Sequence, residues 1–172
     1  MVEQTKYAVV KKIENIEIRL YDQIIVAEVA GLGDGGFNIL FNYISGDNVP
    51  QKKLEMTAPV IAQKIEMTAP VFSEGDSIAF IIPKKFSFEN VPKPTDSRIK
   101  IKQIPKRHVA ALRFSGRWST SAFVKKSDQL LEVLNSLNIK TKGNIFSMRY
   151  NGPFTPWFMR RNEVAVEIDY NG

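Results

Sequence analysis

The chain has 172 residues, 44% of them hydrophobic and 24% charged, enough to bury one core, so a single domain over 1–172 is expected. It has no cysteine, which excludes disulfides, thiolate catalysis, iron–sulfur clusters and thiolate zinc sites, and no run of about 18 apolar residues that would span a bilayer. The formal net charge of +6 favours anionic partners (nucleic acid, a membrane surface or a small carboxylate-bearing ligand), although the lysines and arginines are scattered in the manner of a solvated surface.

In chain order, Tyr7 to Lys12, Ile16 to Tyr21 and Ile24 to Ala30 read as three short antiparallel strands, because β-branched residues alternate with polar ones and Glu14-Asn15 and Asp22-Gln23 supply turns. A cluster at Gly31, Gly33, Gly35 and Gly36 breaks the pattern. Phe37, Leu40, Phe41 and Ile44 then follow at helical spacing, predicting an amphipathic helix from Phe37 to Ser45 closed by Gly46. Two near-copies of a heptapeptide come next, Leu54 to Val60 and Ile65 to Val71, which read as a hairpin with Pro59 and Pro70 at an edge, bulge or strand end. Ile78 to Ile82 is a further strand, and the segment from Pro83 to Ser97 a crossing loop.

The outline then recurs. Ile99 to Ile104 and Val109 to Ser115 are expected strands, with Gly116 as a break. Ser119 or Thr120 caps a longer helix that turns Phe123, Leu130, Leu131, Leu134 and Leu137 inward. Ile145 to Tyr150 and Glu163 to Tyr170 close the chain as strands. The sum is an α+β fold with two similar halves in pseudo-twofold arrangement.

Four signatures in this order carry a resemblance: Phe37 to Gly46 leading into Met56-Thr57-Ala58-Pro59-Val60; its repeat Met67-Thr68-Ala69-Pro70-Val71; Phe114-Ser115-Gly116; and Tyr150 to Pro156 followed by Arg160-Arg161-Asn162-Glu163-Val164. They resemble the SOUL haem-binding family over nearly the whole chain. The resemblance implies a distorted antiparallel β-barrel flanked by two helices. It also implies binding of haem or metal-free porphyrin in an open cleft between the first helix and the loop before the last strand. Carried over position by position, that cleft involves Phe37, Leu40, Phe41 and Ile44 on the helix and the loop from Gly152 to Met159 with Phe154, Trp157, Phe158 and Met159.

A porphyrin is a flat apolar disc with carboxylates on its rim, so aromatic walls and a few cations suit it; Arg160 or Arg161 would meet a propionate. Axial ligation is weakly supplied. The one histidine, His108, starts a strand away from both cleft segments; Met56, Met67, Met148 and Met159 could offer a thioether and Tyr43 or Tyr150 a phenolate, but methionines at alternating strand positions read as core filler. The expectation is therefore non-enzymatic tetrapyrrole binding without a strong protein ligand to iron, by a cytoplasmic, monomeric protein with no nucleic-acid or membrane partner and no metal site of its own.

Two other readings stay open. A small-molecule effector module of the gyrase-inhibitor type would place Glu163 and Glu167 against a cationic ligand, although their alternation with Val164, Val166 and Ile168 fits a solvent face. Nucleic-acid binding would use Arg113, Arg117, Trp118, Arg149 and Tyr150.

Overall fold

The computed structural model describes residues 3–32, 35–63, 77–151 and 154–171. Its elements in chain order are β1 (Glu3–Gln4), β2 (Tyr7–Ile13), β3 (Ile16–Tyr21), β4 (Ile24–Val29), α1 (Gly36–Ile44), β5 (Asn48–Val49), β6 (Thr57–Gln63) and β7 (Ser77–Ile81). These are followed by β8 (Lys93–Pro94), β9 (Ile99–Ile104), β10 (Arg107–Phe114), α2 (Thr120–Ser136), β11 (Lys140–Arg149) and β12 (Asn162–Asp169). The first heptapeptide enters β6 at Thr57, and Pro59 lies in the register shift between Thr57 and Val60, where a missing ladder donor is tolerated. The second heptapeptide, with Met67 and Pro70, lies outside the described residues.

The chain divides into two compact units, residues 1–5 with 23–105 and residues 6–22 with 106–172. In the first, an antiparallel sheet runs in the order β6-β7-β4-β9, with β1 parallel to β6, and β5 pairs separately with β8 inside the expected crossing loop. Helix α1 backs this sheet. Its buried residues Leu40, Tyr43 and Ile44 pack with Ala27, Val29, Ile78, Phe80 and Ile99. Gly36 permits the close approach, because a Cβ there would stand 2.7 Å from Ile78 Cγ2.

In the second unit the order is β2-β3-β10-β12-β11, antiparallel throughout. The third of the expected opening strands therefore does not extend the β2–β3 hairpin: β4 pairs with β7 and β9, and β3 pairs with β10. Helix α2 begins at Ser119, whose hydroxyl accepts from the Ala122 N–H at 3.1 Å. Phe123, Leu130 and Leu134 join Ile16, Ile18, Leu112, Val164 and Val166 in the core. Leu131 is half-buried and Leu137, expected to point inward, is exposed past the last helical turn. No ladder among the described residues closes the sheet on itself, so the barrel is approximate while the helix-backed antiparallel α+β class holds.

Candidate functional site

The connection between β11 and β12 places four large apolar side chains in water: Phe154 is 99% exposed, and Trp157, Phe158 and Met159 are exposed beside it. A single 3-10 turn carries Trp157 to Met159, entered through Pro156. Backbone partners hold it. The Met159 N–H donates to the Pro156 carbonyl at 2.9 Å, the Gly116 N–H to the Trp157 carbonyl at 3.1 Å, and Arg160 Nε to the Thr155 carbonyl at 2.9 Å. Gly116 can make this approach because it adopts φ +113°, a region open to glycine. The base of the connection is pinned where the Arg161 N–H donates to Asn151 Oδ1 at 2.6 Å and the Asn162 amide to the Gly116 carbonyl at 3.0 Å.

On α1 the four expected cleft residues separate. Phe37 and Phe41 are partly exposed and stack on each other with centroids 6.3 Å apart, while Phe37 also meets the edge of Phe80 at 5.1 Å. Leu40, fully buried, and Ile44 turn into the core of the first unit. At about 100° per residue, Phe37 and Phe41 stand at the margin of the arc that buries Leu40, Tyr43 and Ile44.

Beneath the aromatic connection lies a buried ionic network. Arg19 is 1% exposed and Glu163 0%. Arg19 donates to both carboxylate oxygens of Glu163 at 2.7 Å, to Glu17 at 2.8 Å and to the Tyr21 hydroxyl at 3.0 Å, and its guanidinium lies 4.2 Å from the Tyr7 ring. Arg161 donates to Glu163 at 2.9 Å and to the Tyr7 hydroxyl at 2.8 Å while stacking 3.9 Å from the Tyr150 ring, and the Tyr150 hydroxyl donates to Glu163 at 3.1 Å. Burial alone would push the Glu163 carboxyl up, but the hydrogen bonds and charges of Arg19 and Arg161 outweigh it and hold the group below the usual carboxylate range. Burial raises the Tyr150 and Tyr21 phenols, with the Glu163 charge adding to both shifts.

Strand periodicity places Glu163 on a solvent face; the structure overturns this, because the second face of β3, β10 and β12 is covered where Tyr7, Tyr150 and Arg161 fold over it. The register puts Arg19 opposite Val109 and Arg113 opposite Glu163, leaving Ala111 between them on that face of β10; its single methyl lets the two side chains meet. The signal in the sequence was Glu17, Arg19 and Tyr21 at alternate positions of one strand, which reads equally as an exposed polar stripe. The carboxylate is thus committed to two arginines and does not face a cationic ligand, and Glu167 pairs with Arg107 at 3.3 Å. Of the two arginines expected at a propionate, Arg161 belongs to this network and Arg160 stays with the loop.

The side chains weighed as iron ligands are mostly engaged elsewhere. The Tyr43 hydroxyl donates to the Pro92 carbonyl at 2.6 Å, Met148 is buried and accepts from Tyr21, Met56 packs on the core of the first unit, and His108 meets the edge of Tyr170 at 5.6 Å. Met159 is exposed on the aromatic connection. Among the described residues no group of three His, Asp or Glu side chains could hold a metal ion, and no helix is long and apolar enough to cross a membrane.

These features define an α+β protein in which a helix backs the antiparallel strands of each compact unit and an aromatic connection is left in solvent. The family model described as SOUL heme-binding protein matches residues 2–167, and the chain belongs to that family. It is 30% identical over 145 residues to Heme-binding protein 2 of Mus musculus, covering 77% of this chain and 68% of that protein, and equally to Heme-binding protein 2 of Homo sapiens. Among solved structures, the C-terminal domain of EcmrR superposes with TM-score 0.65 at 9% identity, over 95% of this chain and 98% of that one. A hydrolase from Listeria innocua superposes with TM-score 0.59 at 8% identity, over 93% and 94%. Likeness at such identities concerns the fold alone.

Proposed function

We propose that this protein binds haem or another tetrapyrrole and carries out no reaction on it. Membership of the SOUL heme-binding family supports the ligand class. The observation that carries the reading is the solvent-facing cluster of Phe154, Trp157, Phe158 and Met159, with Arg160 at its base: apolar area for a flat macrocycle and a guanidinium for its carboxylates. The paired rings of Phe37 and Phe41 on α1 are the second candidate surface. Contacts of this kind do not depend on iron. Binding without a strong axial ligand follows, with haemin and metal-free protoporphyrin taken up alike.

The test is a titration of the protein with haemin and with metal-free protoporphyrin, followed through the Soret band and tryptophan fluorescence. Saturable one-to-one binding is expected for both ligands, weakened about tenfold or more by Trp157→Ala with Phe158→Ala, since each removes apolar contact. Haemin bound far more tightly than the metal-free ring, with the difference lost in Met159→Leu, would instead make Met159 an axial ligand. Failure of both ligands to saturate would end the tetrapyrrole reading.

A further inference from the structure

We propose that the connection carrying Phe154, Trp157, Phe158 and Met159 is also an interfacial anchor that docks this protein on the surface of an anionic bilayer. The inference goes beyond the tetrapyrrole reading and stands without it, since it concerns the ligand-free chain.

Apolar side chains alone do not suit a loop to a lipid interface, because its backbone must also leave water with its polar groups satisfied. Here they are. The Trp157 carbonyl accepts from the Gly116 and Arg160 N–H groups, the Pro156 carbonyl from the Met159 N–H, and the Thr155 carbonyl from Arg160 Nε. The turn is also pre-shaped, so little order remains to be imposed on docking. Tryptophan and phenylalanine are the side chains that settle at the headgroup boundary.

Charge points the same way. The two chain segments that meet through Gly116 and Trp157 are residues 106–127 and 140–162, and neither contains an aspartate or glutamate. They bring Arg113, Arg117 and Lys125, all exposed, to the same unit as the aromatic turn, and Arg117 directly follows the glycine that bonds it. The first carboxylate after the turn, Glu163, is buried and neutralised by Arg19 and Arg161. Exposed cations on acid-free segments beside exposed aromatics match a bilayer bearing negative headgroups. Nucleic acid shares the charge preference but needs rings offered as a stacking platform, whereas the Trp157 and Phe158 planes stand at 88° to each other. The sequence-based expectation of no membrane partner is revised on this point: docking requires no spanning segment, only exposed aromatics beside cations.

The experiment uses the full, ligand-free chain with vesicles of phosphatidylcholine, with and without phosphatidylserine, and reads co-sedimentation together with the tryptophan emission maximum. Co-sedimentation with the phosphatidylserine vesicles alone is expected, with emission shifted to the blue and binding weakened by added salt. Phe154→Ser with Phe158→Ser should lower partitioning about tenfold with unchanged thermal unfolding, since both side chains already lie in water. Arg117→Gln should lower it by a smaller factor. Absence of association with the anionic vesicles would overturn the proposal. So would association that the Phe154/Phe158 variant leaves intact, or oligonucleotide binding that the same variant abolishes while vesicle binding is lacking.

Discussion

Arg19 on β3 and Glu163 on β12 are 144 positions apart in sequence and joined by two hydrogen bonds of 2.7 Å, one to each carboxylate oxygen. The pair is almost wholly removed from water, so removing one member leaves the other as an uncompensated buried charge. Glu163→Gln is expected to destabilise the protein by about 3–5 kcal/mol, measured by urea unfolding. Because the Arg161 side of the network adjoins the aromatic connection, the same variant should also raise the proteolytic sensitivity of residues near Trp157. A loss under about 1 kcal/mol would show that the pair acts as an exposed one does.

The same network sets a response to acid. Glu163 titrates in the folded protein below the 4.5 of an ordinary glutamate, so its contribution is fully present above that value and is lost as pH falls through the folded pKa. Thermal midpoints should hold down to about pH 5 and decline below it. The alkaline limit has the opposite sign: burial pushes the Tyr43 phenol from 10.0 up to about 12 and raises Tyr21 and Tyr150 as well, so above pH 10 the unfolded chain ionises first and stability falls as pH rises. Midpoints measured from pH 3 to pH 12 test both edges at once, and Tyr43→Phe should blunt the alkaline one.

Neighbouring positions on α1 should behave in opposite ways. Leu40 is fully buried, and Leu40→Ala should cost about 2–5 kcal/mol of stability through the cavity it leaves. Phe41 is 48% exposed, so Phe41→Ser should cost far less while weakening tetrapyrrole binding if α1 supplies a contact surface. Urea unfolding beside a porphyrin titration separates the two.

At the start of α2, Ser119→Ala removes the acceptor for the Ala122 N–H and should lower stability by about 1 kcal/mol, with Ser119→Asp restoring it. Calorimetry of the three proteins decides it.

Local rules carried much of the architecture. Alternation marked β3 and β9 residue for residue, the hydroxyls of Ser119 and Thr120 bracketed the start of α2, where Ser119 is the cap, and the apolar period marked its inward face at Phe123, Leu130 and Leu134 but not at Leu137. These succeed because a strand or helix repeats its side-chain directions over a few residues, whatever surrounds it. The family motifs, too, are strings of adjacent residues. What periodicity reports is which side chains share a face, and it is silent on what covers that face. Glu17, Arg19 and Tyr21 share one face of β3 in either case; only the folding of Tyr7, Tyr150 and Arg161 over it made that face an interior. The split of Phe37 and Phe41 from Leu40 and Ile44, and the pairing of β4 away from β3, were likewise decided by contacts with distant strands. The sequence by itself therefore determined the longer strands, the two helices and the family; tertiary structure alone decided that Glu163 is a buried anion held by two arginines and that the aromatics of the β11–β12 connection stay in solvent, because both outcomes depend on which surfaces distant segments cover.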